Sequence, residues 1–386
     1  MIEWKRVKLS ELGEIVGGAT PSTSHEAYYN GYIPWLTPKD LAGYTSRYIK
    51  SGERNITKEG LDSCSAKMMP KNTVLFSSRA PIGYIAIAEN DICTNQGFKS
   101  IVPNENIDPL FLYYLLKFNR DRIEAMGSGT TFKEVSRKTM GNVTVNIPVE
   151  KAIQRKIAAI LDGLDSKIEL NNKINDNLQQ QAAALFSSLY DRSNTEVRFT
   201  DLIQILGGGT PKTGENTYWN GKIAFFTPKD VGTPYTLITE KTISKEGLSH
   251  CNSRLYPVNT VFVTARGTVG KVGMSGVPMA MNQSCYALVG KETHQLLVYF
   301  YTLKAVDRLK HKASGAVFDA ITTRDFESEQ IMKLSDDDAK AFLCVAKPMF
   351  QEVLNNNIEN LRLSTLRDSL LPKLMSGEID VSAVQL

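Results

Sequence analysis

The sequence has no run of eighteen apolar residues, so no membrane-spanning helix is expected. Its start, MIEWKRVKLSELGEI, lacks the apolar stretch of a signal peptide. The five cysteines, at 64, 93, 251, 285 and 344, form no CxxC pair. An odd, scattered count fits free thiols in a reducing cytoplasm. The four histidines, at 25, 250, 294 and 311, show no HxxxH spacing, so a zinc site is not expected. No GxSxG nucleophile elbow occurs. Gly209 opens a stretch that resembles a phosphate loop, but Glu215 and Asn216 stand where Lys and Ser/Thr would meet phosphate and Mg²⁺. An S-adenosylmethionine-dependent amino-methyltransferase needs a Gly-rich cofactor loop and an Asn/Asp-Pro-Pro-aromatic motif, and neither is present. A large excess of either charge is also lacking: 45 Lys and Arg against 41 Asp and Glu leave a net +4. That balance permits nucleic-acid binding without requiring it.

What the chain has is itself, twice. Gly17–Asp40 reads GGATPSTSHEAYYNGYIPWLTPKD, and Gly207–Asp230 reads GGGTPKTGENTYWNGKIAFFTPKD. Thirteen of these twenty-four positions are identical, where unrelated segments would share about one or two. The repeat continues. ITKEGL at 56–61 returns as ISKEGL at 243–248, and PKNTVLFSSRAPIG at 70–83 as PVNTVFVTARGTVG at 257–270. TNQGF at 94–98 is echoed by MNQSC at 281–285, and GSGTTF at 127–132 by ASGAVF at 313–318. In the last pair, Phe132 and Phe318 are expected in the core. Asp40 and Asp230 could be read as nuclease carboxylates, but no ExK cluster follows, so a turn or cap role is expected.

Each copy is followed by a helical pattern. Glu150–Tyr190 holds no proline and a single glycine. Leu161, Leu164, Ile168, Asn171, Asn175, Leu178 and Leu185 recur at alternating spacings of three and four, with Ala182 at one skipped place. The second pattern is Asp336–Leu374, with acids at its start and Pro348 as a start or kink. One amphipathic helix cannot bury its stripe alone, but two can, and with a domain between them they most simply run antiparallel. Short β-rich runs such as NTVLFSS, GYIAIA and NTVFVTA fill the repeats, with helical stretches at 108–126 and 294–313. The expected fold is therefore α+β: two repeated α+β domains separated by two long helices that pair as an antiparallel coiled coil, with a pseudo-two-fold relation. The expected boundaries are 1–149 and 191–335 for the domains, and 150–190 and 336–386 for the helical regions. Two related domains without catalytic motifs suit a long partner with two sites, and double-stranded DNA is the leading candidate.

These residues resemble the specificity (S) subunits of type I restriction-modification systems. The likeness covers the whole chain. Its strongest parts are the WLTPKDL/FFTPKDV pair, the AIQRKIAAILDGLDSKIELNNKIN helix and the C-terminal TLRDSLLPKLMSGEIDV. The resemblance implies two target recognition domains, each reading one half of a bipartite, asymmetric DNA sequence. It implies paired helices that set the spacing and dock two methyltransferase (M) subunits. S-adenosylmethionine chemistry would then belong to the M subunits, and ATP- and Mg-dependent cleavage and translocation to restriction (R) subunits. This chain would hold no cofactor and no metal, and would work in the cytoplasm. The second helix opens KLSDDDAKAFL and lacks the Pro and Gln of the first, NIPVEKAIQRKI. Two other readings stay open: the recognition subunit of a combined cleavage-methylation enzyme, and a tandem adapter for protein or carbohydrate with no DNA role.

The repeat also sorts the candidate contacts. Residues shared by both copies cannot distinguish two different half-sites, so they should hold the fold or meet phosphates. That assigns Lys39, Arg79, Lys229 and Arg266 to the DNA backbone, with a structural ion pair or, for the arginines, a guanine common to both half-sites as the other readings. Base readers should lie where the copies diverge: Ser22, His25, Arg47 and Ser78 in the first, Lys212, Asn216, Tyr235 and Thr268 in the second. Asn95, Gln96, Asn282 and Gln283 are shared amides that could bond adenine edges or stabilise a turn.

Overall fold

The computed structural model describes residues 2–129, 133–232, 234–312 and 320–384. Phe132 and the whole of 313–318, including Phe318, lie outside the described residues, and so do the two expectations placed there. The chain folds as two compact units, Met1–Glu169 with Arg362–Leu386, and Leu170–Leu361.

In the first unit a five-stranded sheet runs in the order Gly13–Gly17, Lys99–Pro103, Val74–Ser78, Ile82–Ala88, Tyr48–Ile49. Its last pair is parallel and the others antiparallel. A three-stranded sheet places Tyr29–Leu36 between Asn55–Ile56 and Cys93–Thr94. Trp4–Lys8 pairs with Thr144–Pro148. The second unit repeats this strand for strand. Its five-stranded order is Ile203–Gly207, Cys285–Gly290, Val261–Thr264, Val272–Ser275, Tyr235–Thr236. Trp219–Phe226 lies between Lys241–Ile243 and Met279–Met281, and Thr195–Arg198 pairs with Gln330–Lys333.

The repetition reaches single dihedrals. Asn30 and Asn220 have φ of 61° and 59°, and Asn72 and Asn259 have 71° and 70°. Asparagine tolerates the left-handed region better than most residues, which is why the same type recurs there. The KEGL repeat is local structure as well. Thr57 and Ser244 each cap a short helix, accepting from the N–H of Gly60 and Gly247 at 3.0 Å. A Cβ on either glycine would come within 2.4 Å of a tyrosine carbonyl oxygen, that of Tyr28 or Tyr218.

The first long helix spans Lys151–Tyr190 and the second Asp336–Ser376. The second runs unbroken through Pro348, so that proline does not mark its start. In the first unit, Ile153, Ile157, Ala158 and Leu161 share a core with Leu371, Leu374 and Met375. In the second, Ala182, Phe186, Leu189 and Tyr190 share one with Phe342, Phe350, Val353 and Leu354. The two helices run antiparallel inside the second unit. Asn171 Nδ2 donates to Asn360 Oδ1 at 2.9 Å, and Asn175 exchanges hydrogen bonds at 2.9 Å with Asn356 and Asn357. Of the heptad positions, Leu161, Asn171 and Asn175 are buried, while Leu164, Ile168, Leu178 and Leu185 are half-buried. Toward the helix end the buried stripe moves to Ala182, Phe186 and Leu189, because there the helix packs on a domain rather than on a single helix.

Among the described residues no helix is long and apolar enough to cross a membrane. Nor, among them, does any group of three His, Cys, Asp or Glu have a metal-holding arrangement.

Candidate nucleic-acid interface

The shared motifs, far apart in sequence, meet at one place in each unit. In the first, Ala19 N–H donates to Thr94 O at 3.0 Å, and the Trp35 indole to Ala19 O at 3.0 Å. Asn95 N–H donates to Leu36 O at 2.8 Å, and Ser78 N–H to Gly97 O at 2.7 Å. These bonds gather the GGATP turn, the strand leading into TPKD, the NQG turn and the strand end that carries Arg79. The second unit does the same. Gly209 N–H donates to Met281 O at 3.1 Å, Asn282 N–H to Phe226 O at 3.0 Å, and Ala265 N–H to Ser284 O at 2.8 Å. The approach of the two turns demands glycine. A Cβ would lie 2.0 Å from Thr94 O at Gly18 and 2.2 Å from Asn282 O at Gly208.

The aspartates of TPKD are turn-makers. Asp40 Oδ2 accepts from the N–H and hydroxyl of Thr37, both at 2.7 Å, and its Oδ1 from Glu53 N–H at 2.7 Å. Asp230 repeats all three bonds with Thr227 and Glu240 at 2.6–2.8 Å. This cradle presents the preceding lysine to solvent. Lys39 and Lys229 have side chains 80% exposed, and each faces one carboxylate, Glu53 at 2.9 Å or Glu240 at 3.6 Å. Glu53 beside Lys39 holds its ammonium above the usual lysine value. Such exposed pairs contribute little to stability, so both ammonium groups can exchange a carboxylate for another anion. Arg79 is about one-third exposed and 3.8 Å from Glu134, and Arg266 is exposed.

The divergent candidates separate. Ser22, His25, Lys212, Asn216 and Thr268 are exposed. Ser22 and Ser24 hydroxyls lie 2.8 Å apart, and the Thr268 hydroxyl donates to Pro228 O at 3.3 Å. Three others are committed to the fold and cannot face DNA. Arg47 is buried against the first long helix, with hydrogen bonds to Asp162, Ser166 and Glu169. Ser78 is fully buried, and its hydroxyl donates to Gly97 O at 3.2 Å. Tyr235 is buried, its hydroxyl donates to Asn259 Oδ1 at 3.0 Å, and its ring meets that of Phe350. Burial consumes the donors that base reading would need. Asn95 and Asn282 spend Oδ1 inside their own turns, on the N–H of Gly97 at 2.8 Å and of Ser284 at 3.0 Å. Gln96 and Gln283 stay exposed.

Tyr32 was not singled out by the sequence reading. It is 77% exposed, on the bulge that Asn30 and Gly31 make, and the equivalent position on an equivalent bulge is the exposed Lys222. Divergence inside a shared WNG/YNG frame was the available signal.

Two copies of one α+β domain, each with the same exposed cluster, make a tandem recognition scaffold. The family described as "Type I restriction modification DNA specificity domain" matches residues 1–180 and again 192–333. The chain is 30% identical over 408 residues to the type I restriction enzyme MjaIX specificity subunit of Methanocaldococcus jannaschii, covering 98% of this chain and 94% of that one. It is 25% identical to the HindI specificity subunit of Haemophilus influenzae, over 98% of this chain and 100% of the other. The S subunit structure from M. genitalium shares the fold, with a TM-score of 0.62 at 17% identity over 97% and 96% of the two chains. The chain belongs to this family: it is a type I restriction-modification specificity subunit carrying the DNA recognition domain twice.

Proposed function

We propose that the recognition domains, 1–149 and 191–335, each read one half of a bipartite, asymmetric duplex target. The observation that carries this is the matched pair of exposed clusters. Both are framed by the shared Gly-Gly, Thr-Pro and TPKD residues, while Ser22–Ala27 and Lys212–Thr217 agree only at Thr23 and Thr213. Lys39, Lys229, Arg79 and Arg266 meet phosphates, which are alike at every sequence. Ser22, His25, Lys212, Asn216 and Thr268 are the remaining base-reading candidates. The helical regions, 150–190 and 336–386, set the spacing and dock two M subunits, and R subunits join that assembly. Methylation with S-adenosylmethionine and cleavage with ATP and Mg²⁺ take place on those partners, and this chain supplies the address.

Single-molecule methylome sequencing of the host with and without the gene tests the reading. Loss of one bipartite methyladenine motif is the expected result, and an unchanged methylome refutes it. Replacing Lys229 with Ala should weaken binding to all duplexes and reduce the slope of log affinity against log salt by roughly one. A changed sequence preference at unchanged slope would overturn the phosphate role of that lysine.

A further inference from the structure

One exposed contact repeated in both units has no charge in it. Thr20 Oγ1 donates to Gln96 Oε1 at 2.5 Å, and Thr210 Oγ1 donates to Gln283 Oε1. Both glutamines are exposed. Each sits on a turn held from two sides: by the Asn95 or Asn282 side chain within the turn, and by the close passage of Gly18 or Gly208 beneath it. With Oε1 engaged by the threonine, the amide Nε2 is the half of this exposed side chain left for a partner, and it can only donate. The turn is also bonded to the strand end that bears the shared arginine, through Ser78 N–H to Gly97 O and through Arg266 N–H to Ser284 O. In the first unit Lys99 Nζ lies 3.4 Å from the Gln96 carbonyl oxygen, but it is nearly buried and paired with Glu134 at 3.1 Å, so the shared arginine is the cation both turns have beside them.

We propose that these two pairs are uncharged phosphate clamps: threonine turns the glutamine amide so that Nε2 donates to a phosphate oxygen of the duplex. The proposal rests on the reading that these domains bind DNA, and it assigns the glutamines a different role from base reading. Two arguments select phosphate. The pair is the same in both copies, partner for partner, so it offers nothing with which to tell two half-sites apart. A fixed donor beside a cation complements an anionic acceptor, and hydrogen bonds to charged groups are the stronger kind. Thr20 and Thr210 act through the glutamine and are positioning residues.

The test uses the full chain with its methyltransferase partner. Affinity is measured for a duplex carrying the methylated motif and for a random-sequence duplex, across a salt series. Gln96→Ala should weaken both by roughly 10–100-fold, leave their ratio unchanged, and leave the salt slope unchanged because no cation is lost. Gln96→Glu keeps the acceptor for Thr20 but replaces the donor with a negative oxygen, so it should weaken both further. Thr20→Val should reproduce much of the Gln96→Ala loss, Thr20→Ser should restore binding, and Thr20→Val with Gln96→Ala should be no worse than Gln96→Ala alone. Gln283→Glu repeats the measurement in the second copy, independently of the folding of the first.

A specific-to-random ratio that falls in any glutamine variant would show base reading and overturn the proposal. Unchanged affinity in both Gln96→Glu and Gln283→Glu would place the pairs away from DNA. Full additivity of the two first-copy changes would remove the positioning role of Thr20. Failure of the wild-type assembly to bind any duplex would instead refute the underlying DNA reading.

Discussion

Replacing Arg47 with Met should destabilise the first unit by about 3 kcal/mol. The guanidinium is 6% exposed and makes five contacts with the first long helix: Asp162 Oδ1 at 2.5 Å, Asp162 O at 3.0 Å, Ser166 Oγ at 2.9 Å, Glu169 Oε1 at 3.2 Å and Glu169 Oε2 at 3.4 Å. Removing one member of a buried ion pair costs ~3–5 kcal/mol, because the partner's charge is left without compensation. Here the carboxylates keep some water, at 31% and 19% exposure, which puts the cost at the low end. An exposed pair would contribute only ~0–1 kcal/mol. Met preserves the length and apolar stem, so the loss reports charge and hydrogen bonding. Hydrogen exchange read by mass spectrometry gives the assay. Peptides from 151–169 should lose protection, while peptides from the second unit should not. A paired change, Arg47→Met with Glu169→Leu, should recover part of the loss, since an apolar replacement removes one of the orphaned charges. A cost below about 1 kcal/mol, or equal loss of protection in both units, would refute the reasoning. A shift in DNA sequence preference with stability intact would return Arg47 to the base-reading set.

The second unit is mounted differently, and this can be measured. Phe186 stacks on Phe300 at 5.0 Å and meets Tyr301 and Phe342 at 5.4 Å, so Phe186→Ala should cost ~3–5 kcal/mol, with a loss in urea denaturation that does not change with salt. Burial pushes the thiols of Cys93 and Cys285 up to about 12. Since the thiolate is the reactive form and is scarce far below the pKa, both should resist iodoacetamide at pH 8 while exposed Cys344 is labelled, as read by peptide mass spectrometry. Gly18→Ala should lower the melting temperature of the first unit through a loss of about 2 kcal/mol or more, because its Cβ would overlap Thr94 O. An unchanged melt would show that the two turns can separate at little cost.

The repeat, the α+β class and both long helices are legible in the sequence because they depend on periodicity and self-similarity. Identical strings such as TPKD and KEGL fold identically since their bonds are local: Thr37 to Asp40 spans three residues, as does Thr57 to Gly60. Which polar residues the two copies share is legible too, because that needs only self-similarity. What divergence between copies could not show is why two residues differ. Arg47 and Tyr235 lie in corresponding stretches and both diverge, yet each differs because its unit meets its helix differently, through charge in one and aromatic rings in the other.

The sequence by itself determined that there are two copies of one domain and that each is followed by a helix with an apolar stripe. Only the tertiary structure decided which shared residues meet. Thr20 and Gln96 lie 76 positions apart, and Thr210 and Gln283 lie 73 apart. No local pattern encodes such a pair, because it is made by sheet pairing and by two turns approaching closely over Gly18 and Gly208. Burial likewise belongs to the fold. The same polar side chain is a contact when it faces water and a bolt when its donors are consumed inside, and that difference arises only when the chain is packed.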